Sequence, residues 1–375
     1  MNFDLTQGQQ EIIRRAGEFA ERHVAPRAVA IDRTGEFPRD LFQAAAAAGL
    51  AGLNVPVAYG GGGQGVLACV GAIEEVSRRC ASSGAILLVH NLLVCEAVST
   101  VGSEHQRDAV LRKLASGEWL GAFALAEPEA GSDLSSLQTT AARIASGYRL
   151  SGAKAWVTNG TSADAFVVFA KTGDAGLTAF LVERTRGGVR VGTRTESLGV
   201  CGSGCCELVL DGCEIPAENR LGAEGDGIRI ASRALDTGRI GVAAQAIGIG
   251  RACLEQALDY ARTRRQGGQA IGEFQAVQWM LADMATDIDA ARLLTWKAAS
   301  ARDQGLACTL ESAVAKLTAS EAAVRASGKG MQVLGSRGYS RQHSMERFFR
   351  DSKVTEIDLG SSDIQRLTIA AQILA

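Results

Sequence analysis

Apolar positions along the first 120 residues recur at helical spacing. Ile12, Ile13, Ala16, Phe19, Ala20 and Val24 fall on one face, and Thr6 with Gln9 makes a capping box ahead of them. Pro26 predicts the end of that helix. Similar patterns run over 40–53, 66–80 and 83–116, around a turn predicted by AlaTyrGlyGlyGlyGlyGln at 58–64. From about 121 to 217 the pattern changes to short β-branched or aromatic runs between Gly-rich turns: AlaPheValValPheAla (165–170), LeuThrAlaPheLeuVal (177–182) and GluLeuValLeu (207–210). Helical periodicity returns over 229–265, 273–303, 307–334 and from about 362, which predicts a four-helix bundle. The expectation is an α+β chain of three units: a helical domain over 1–120, a β-domain over 121–228 and a helical bundle over 229–375.

Composition narrows the function classes. With 375 residues, 46% hydrophobic, 21% charged and a net charge of −2, the chain reads as a folded protein of two or three packed subdomains. There is no concentrated basic run to attract nucleic acid or an anionic membrane surface. The N-terminus lacks the apolar core of a secretory signal, and no stretch approaches the roughly 20 apolar residues of a membrane span, so a cytoplasmic location is expected. Nine cysteines without a CxxC pair are expected to be reduced and mostly buried. Cys201, Cys205, Cys206 and Cys213 are crowded, but a strand would send vicinal Cys205 and Cys206 to opposite faces, so no metal site is expected. His23, His90, His105 and His343 are scattered and lack HExxH spacing, which leaves metalloenzyme and Ser-His chemistry without support.

The chemistry is concentrated in FALAEPEAGSDLSSLQTTAARIASGYRLSGAKAWVTNG at 123–160. Taken singly, AlaGlySerAsp is a turn and Trp156 a core aromatic; together, at this spacing, they resemble the flavin-contacting segments of the acyl-CoA dehydrogenase family. The resemblance spans the whole chain and implies that family's α–β–α fold, an FAD cofactor and an acyl-thioester substrate. It implies that the Phe123–Ser132 segment (Phe123, Leu125, Ala126, Gly131, Ser132) and Trp156, Val157 and Thr158 contact the flavin, with Thr158 near N5. Ser132 would also meet the substrate, together with Asp236, Arg239 and Gly360. Arg264, Gln275 and the Gln332, Val333, Gly335 segment would reach the flavin nucleotide of a neighbouring subunit, and Ser361 and Asp363 would lie near the adenosine. Contacts that cross subunits imply a homotetramer.

Three positions depart from the family pattern. Gly267 stands where Phe is usual, Cys201 where Arg is usual, and Leu359, in ValThrGluIleAspLeuGlySerSerAsp (354–363), where the catalytic Glu is usual. Dehydrogenation needs a base to take the α-proton while hydride leaves the β-carbon, and an aliphatic side chain accepts no proton. The alternative position for that Glu, one residue before Arg239, holds Gly238. Asp358 is the candidate replacement. The expected activity is oxidation of the CH–CH group of a short acyl thioester, on CoA or a carrier protein, with an atypical or missing base and an electron-transferring flavoprotein as partner. The alternatives are a base-independent flavin reaction on a thioester, a flavin monooxygenase on the same fold, and a non-catalytic flavin-binding protein. Ala85 stands near the position of a key Arg in desulfinase relatives, which argues against that base-independent chemistry.

Overall fold

A computed structural model describes residues 5–374. The N-terminal helix Gln7–Phe19 starts with the expected capping box: the Gln9 N–H donates to Thr6 Oγ1 at 3.3 Å and the Thr6 N–H to Gln9 Oε1 at 2.9 Å. Pro26 does not end the helical path. A π-turn over Ala20–Val24 and a 3₁₀ turn over Ala25–Arg27 carry it into a further helix, Ala28–Thr34, closed by left-handed Gly35. Proline sits at the start of that 3₁₀ turn, where a missing N–H costs little.

The segment Ala81–Val101 is apolar and long enough to cross a membrane by length and hydropathy, contrary to the expectation from sequence. Its place is the protein interior: Leu88, Leu92 and Leu93 are buried among Leu50, Ile240 and Ala244 in one core.

The middle of the chain forms one eight-stranded sheet: β1 (Gly121–Ala124), β2 (Thr140–Ile144), β3 (Gly147–Val157), β4 (Ala165–Lys171), β5 (Leu177–Glu183), β6 (Val189–Arg194), β7 (Cys206–Pro216) and β8 (Arg220–Leu221). The order is β6-β7-β3-β2-β4-β5-β8, with β1 parallel to β4, Phe123 opposite Val167. One face of the sheet packs Phe166, Phe180, Leu208 and Ile215 into a core of its own; the other, with Phe123 and Phe169, joins the core shared with the helices. The runs on β4 and β5 therefore sit where both faces are covered, whereas that on β7 alternates, with Leu208 and Leu210 inward and Glu207 exposed.

The C-terminal helices are Gly227–Thr263, Gln275–Asp303, Thr309–Leu334 and Ser362–Leu374, with Met345–Thr355 packed across them. Small residues on the central helix, Gly238, Gly241 and Gly248, let Leu93, Leu88 and Glu74 approach its backbone. A side chain at Gly248 would meet the Glu74 carbonyl at 2.4 Å.

Candidate active site

A cavity of about 910 Å³ opens between the sheet and the C-terminal helices. The end of β1 and the loop after it contribute Phe123, Leu125, Ala126, Gly131 and Ser132; the end of β3 contributes Ala155 and Trp156, and Thr158 follows. The helix Gly227–Thr263 adds Asp236 and Arg239, and the turn before the last helix adds Asp358, Leu359, Gly360 and Ser361. Segments far apart in the sequence thus meet around one cavity.

Backbone strain collects here. Among the described residues the non-glycine residues with positive φ are Trp156 (56°), Asn159 (69°), Val200 (53°) and Leu359 (51°). Trp156 and Leu359 line the cavity, and the other two each adjoin a lining residue, Thr158 and Gly199. Asn159 donates from Nδ2 to the carbonyls of Ile86 (3.2 Å) and Gly121 (3.0 Å), while the Val200 N–H donates to buried Asp351 at 2.6 Å. Each such residue costs of order 1–3 kcal/mol and persists where its surroundings over-determine it. Trp156 is 64% exposed, an aromatic face held out into the cavity by a strained backbone.

The Leu359–Gly360 turn is clamped from three sides. Arg239 Nε donates to the Leu359 carbonyl at 3.3 Å; buried Gln365 and Lys316 donate to the Gly360 carbonyl at 2.8 and 2.9 Å. Desolvation lowers the Lys316 ammonium to about 8, with the nearby Asp358 carboxylate opposing and Arg239 adding to the shift. The Leu359 side chain rests against the central helix: a Cβ at Gly238 would lie 2.6 Å from Leu359 Cδ1 and 2.6 Å from Leu93 Cδ2. The two positions expected from the resemblance to hold a base are therefore in contact, with Leu359 and Leu93 packed on the Gly238 backbone.

The carboxylates that line the cavity are otherwise engaged or peripheral. Asp236 accepts from Arg239 Nη1 (3.0 Å) and Thr309 Oγ1 (2.7 Å). Half-buried Asp358 accepts the Leu359 N–H at 2.9 Å; desolvation raises its pKa, against that bond and the Lys316 charge. Glu196 stands exposed at the rim. Sequence reasoning did not single out Glu196, nor Arg350 and Lys353 on the helix Met345–Thr355, which also line the cavity. Their neighbour Asp351 holding Val200 is a tertiary contact without a local signal.

Several expected residues lie elsewhere. Val157 is fully buried in the sheet's own core, between Trp156 and Thr158 that line the cavity, and does not line it itself. Arg264, Gln275, Gln332 and Gly335 are exposed at one end of the bundle, outside the cavity, with Val333 buried beside them. Asp363 is exposed at the start of the last helix and pairs with Arg366 at 3.5 Å.

The residues present fit a flavin. The cavity volume is within the range of cofactor pockets, its wall offers a broad aromatic face and apolar flank (Trp156, Phe123, Leu125), and a hydroxyl (Thr158) and a loop backbone supply polar partners.

Residues 6–118, 122–213 and 225–374 match the N-terminal, middle and C-terminal domains of acyl-CoA dehydrogenase. The chain is 43% identical to an acyl-CoA dehydrogenase of Bacillus subtilis, covering 99% of each, and 39% identical to a short-chain specific acyl-CoA dehydrogenase of Clostridium acetobutylicum, covering all of each. Among solved structures, butyryl-CoA dehydrogenase of Megasphaera elsdenii superposes with a TM-score of 0.98 at 38% identity over the full length of both chains. A chain from the structure of the electron transferring flavoprotein of Acidaminococcus fermentans gives 0.98 at 39%, again over both full lengths. These matches cover the cavity-forming segments from end to end, and the chain belongs to the acyl-CoA dehydrogenase family, whose members are FAD-binding oxidoreductases.

Proposed function

We propose that the protein is an FAD-dependent oxidoreductase that acts on the CH–CH group of a short acyl thioester without a glutamate base at the usual place. The observation that carries this reading is the convergence of the 123–132 loop, Trp156, Thr158, Asp236, Arg239 and the Asp358–Ser361 turn on one cavity. Bound flavin would supply the hydride acceptor. Trp156 would back its ring, the loop backbone and Thr158 would bond its edge, and Ser132, Arg239 and Gly360 would orient the thioester. Leu93, Leu235 and Leu359 line the same cavity, and this apolar wall would keep water from the acyl chain.

The proton side is where this chain differs. Leu359 and Gly238 accept none, and Asp236 is held by Arg239 and Thr309. Asp358 is the base we propose, because it lines the cavity on the residue next to Leu359 and burial raises its carboxyl above the ordinary aspartate range, the direction a base needs. The Leu359–Gly238 contact favours a second reading, in which the fold binds flavin and thioester but removes no α-proton.

Exposed apolar side chains on two bundle helices, Trp279, Leu367 and Ile373, with Arg264, Gln275 and Gln332 exposed at one end, support assembly of copies into a tetramer that shares cofactor contacts. The likeness to a chain of the Acidaminococcus structure supports an electron-transferring flavoprotein as the acceptor. A carrier-protein thioester is the alternative to CoA.

Anaerobic titration of the FAD-loaded protein with butyryl-CoA, followed by flavin absorbance, tests the proposal. Bleaching is expected, and its loss in Asp358→Asn would assign the base. A flavin whose spectrum shifts on binding yet stays oxidised would replace the proposal with the second reading.

A further inference from the structure

The loop that carries the expected flavin contacts has little apolar anchorage. Between Glu127 and Gln138 only Ala130 and Leu137 are buried, and most of the remainder is exposed. Ordering a dozen residues costs on the order of 1–2 kcal/mol each in backbone entropy, so something else must hold the loop. That something is a buried ion pair. Lys154 on β3 is fully buried and places Nζ 2.7 Å from Glu127 Oε1 and 3.0 Å from the Leu125 carbonyl. Glu127 then gathers the far end of the loop, accepting the N–H groups of Gln138 (2.6 Å) and Thr139 (3.0 Å) and the Thr139 hydroxyl (2.5 Å). A backbone bond from the Ala155 N–H to the Ala126 carbonyl (2.9 Å) stitches β3 to the loop beside the pair.

The consequence is geometric. In a trans peptide the C=O and N–H point opposite ways. Because the Leu125 carbonyl turns inward to Lys154, the N–H of the same peptide, on Ala126, turns outward, and Ala126 lines the cavity. Lys154 lies two residues before Trp156, so one ammonium ties the loop that would bond the flavin edge to the strand whose tryptophan would back its ring.

We infer that Lys154 and Glu127 are positioning residues for the flavin: the pair fixes the loop at both ends and aims the Ala126 N–H at the ring, touching neither cofactor nor substrate itself. The inference rests on the flavin placement given above. Desolvation brings the Lys154 ammonium down to about 8 while Glu127 opposes it; burial pushes the Glu127 carboxyl up, but the bonds from Lys154, Thr139 and Gln138 outweigh it and hold the group at about 2, so the pair is ionised at neutral pH.

The test compares FAD dissociation constants of the apoproteins and the visible circular dichroism of bound flavin, neither of which needs turnover. Lys154→Met strands a buried carboxylate and can fail to fold. Lys154→Met/Glu127→Gln removes the charge from both partners, and Thr139→Val removes a single bond to Glu127. The expected result is FAD affinity at least tenfold weaker, with an altered flavin signal, in the double variant, and a smaller change of the same sign in Thr139→Val. FAD affinity and flavin signal within twofold of the parent in both would overturn the inference. Trp156→Ala separates the two layers: an unchanged flavin signal there refutes the placement of the flavin itself, whereas a change there with none in the Lys154 and Thr139 variants refutes only the pin.

Discussion

Leu359→Glu is expected to create or sharply raise dehydrogenase activity, because everything needed to present a base at that position is already built. The backbone at 359 has φ of 51°, a conformation that glutamate tolerates no worse than leucine. Its carbonyl is held by Arg239, and the next one by Gln365 and Lys316, none of which depends on the side chain at 359. Leucine and glutamate share atoms through Cγ and one δ position, so the carboxylate would begin where Leu359 Cδ1 now lies, against Gly238 and Leu93. Losing part of a half-buried leucine costs about 1–2 kcal/mol of stability, which a domain of ordinary stability survives. The apolar neighbours raise the carboxylate's pKa and make it a better base. General-base assistance is commonly worth about 10²–10⁴-fold, or about 2.7–5.5 kcal/mol of barrier. The assay is anaerobic rapid mixing of the FAD-loaded parent and variant with butyryl-CoA, reading flavin bleaching, with the spectral shift on mixing as proof of binding. A gain of less than about tenfold in a variant that binds the thioester would refute the claim that the pocket lacks only its base.

Two further perturbations follow from the same packing and from one buried histidine. Gly238→Glu alone drives a Cβ to 2.6 Å from both Leu359 and Leu93, an overpacking worth about 1–3 kcal/mol; adding Leu359→Gly should recover at least half of that loss in chemical unfolding and restore bleaching by butyryl-CoA, and a single variant as stable as the parent would sink the contact. His90 is buried and neutral, donating from Nε2 to the Leu114 carbonyl (3.0 Å) and accepting the Gly121 N–H at Nδ1 (3.2 Å), with its pKa lowered to about 4 by desolvation. Its folded pKa lies below the unfolded value of 6.5, so its contribution is complete above pH 6.5 and is lost as pH falls toward 4, by about 3 kcal/mol. Unfolding measured from pH 7 to 4.5 should show that loss in the parent and a flatter profile in His90→Gln; parallel profiles would mean that His90 is not the group responsible.

The order of helices and strands was legible because their apolar periods are long and uninterrupted, and the Thr6–Gln9 capping box announced the first helix correctly. Strand β3 was not legible. GlyTyrArgLeuSerGlyAlaLysAlaTrpVal carries two glycines, and Lys154, although it shares the parity of buried Tyr148 and Leu150, is a charged residue that faces inward to Glu127. A lysine reads as surface until its partner is known, and that partner lies 27 residues earlier in the chain. Pro26 misled for a different reason: proline stops an α-helical hydrogen-bond ladder, but a π-turn and a 3₁₀ turn had already broken the ladder around it. The resemblance singled out the loop residues Phe123, Leu125, Ala126, Gly131 and Ser132, which line the cavity, while the clamp from Lys316 and Gln365 had no sequence signal, since both residues sit on helices without any local motif.

Sequence reading gave Leu359 as a departure from the family pattern and Gly238 as the occupant of the alternative base position, without relating the two, and the fold puts them in contact. Leu359 lies on Gly238, so a residue larger than glycine at 238 and leucine at 359 exclude each other. Either position can hold a carboxylate only if the other stays small or becomes that carboxylate. A leucine placed over a glycine fills the volume a base would need, closes the apolar wall with Leu93, and leaves Asp358, on the adjoining residue of the same clamped turn, as the carboxylate nearest to it in the chain. The left-handed backbone at 359 retains its strain although leucine gains nothing chemical from it, because three donors outside the side chain impose it. The turn is thus a mount whose shape is independent of what it carries, and the proposal that Asp358 acts as the base predicts that Leu359→Glu and Asp358→Asn change flavin bleaching in opposite directions.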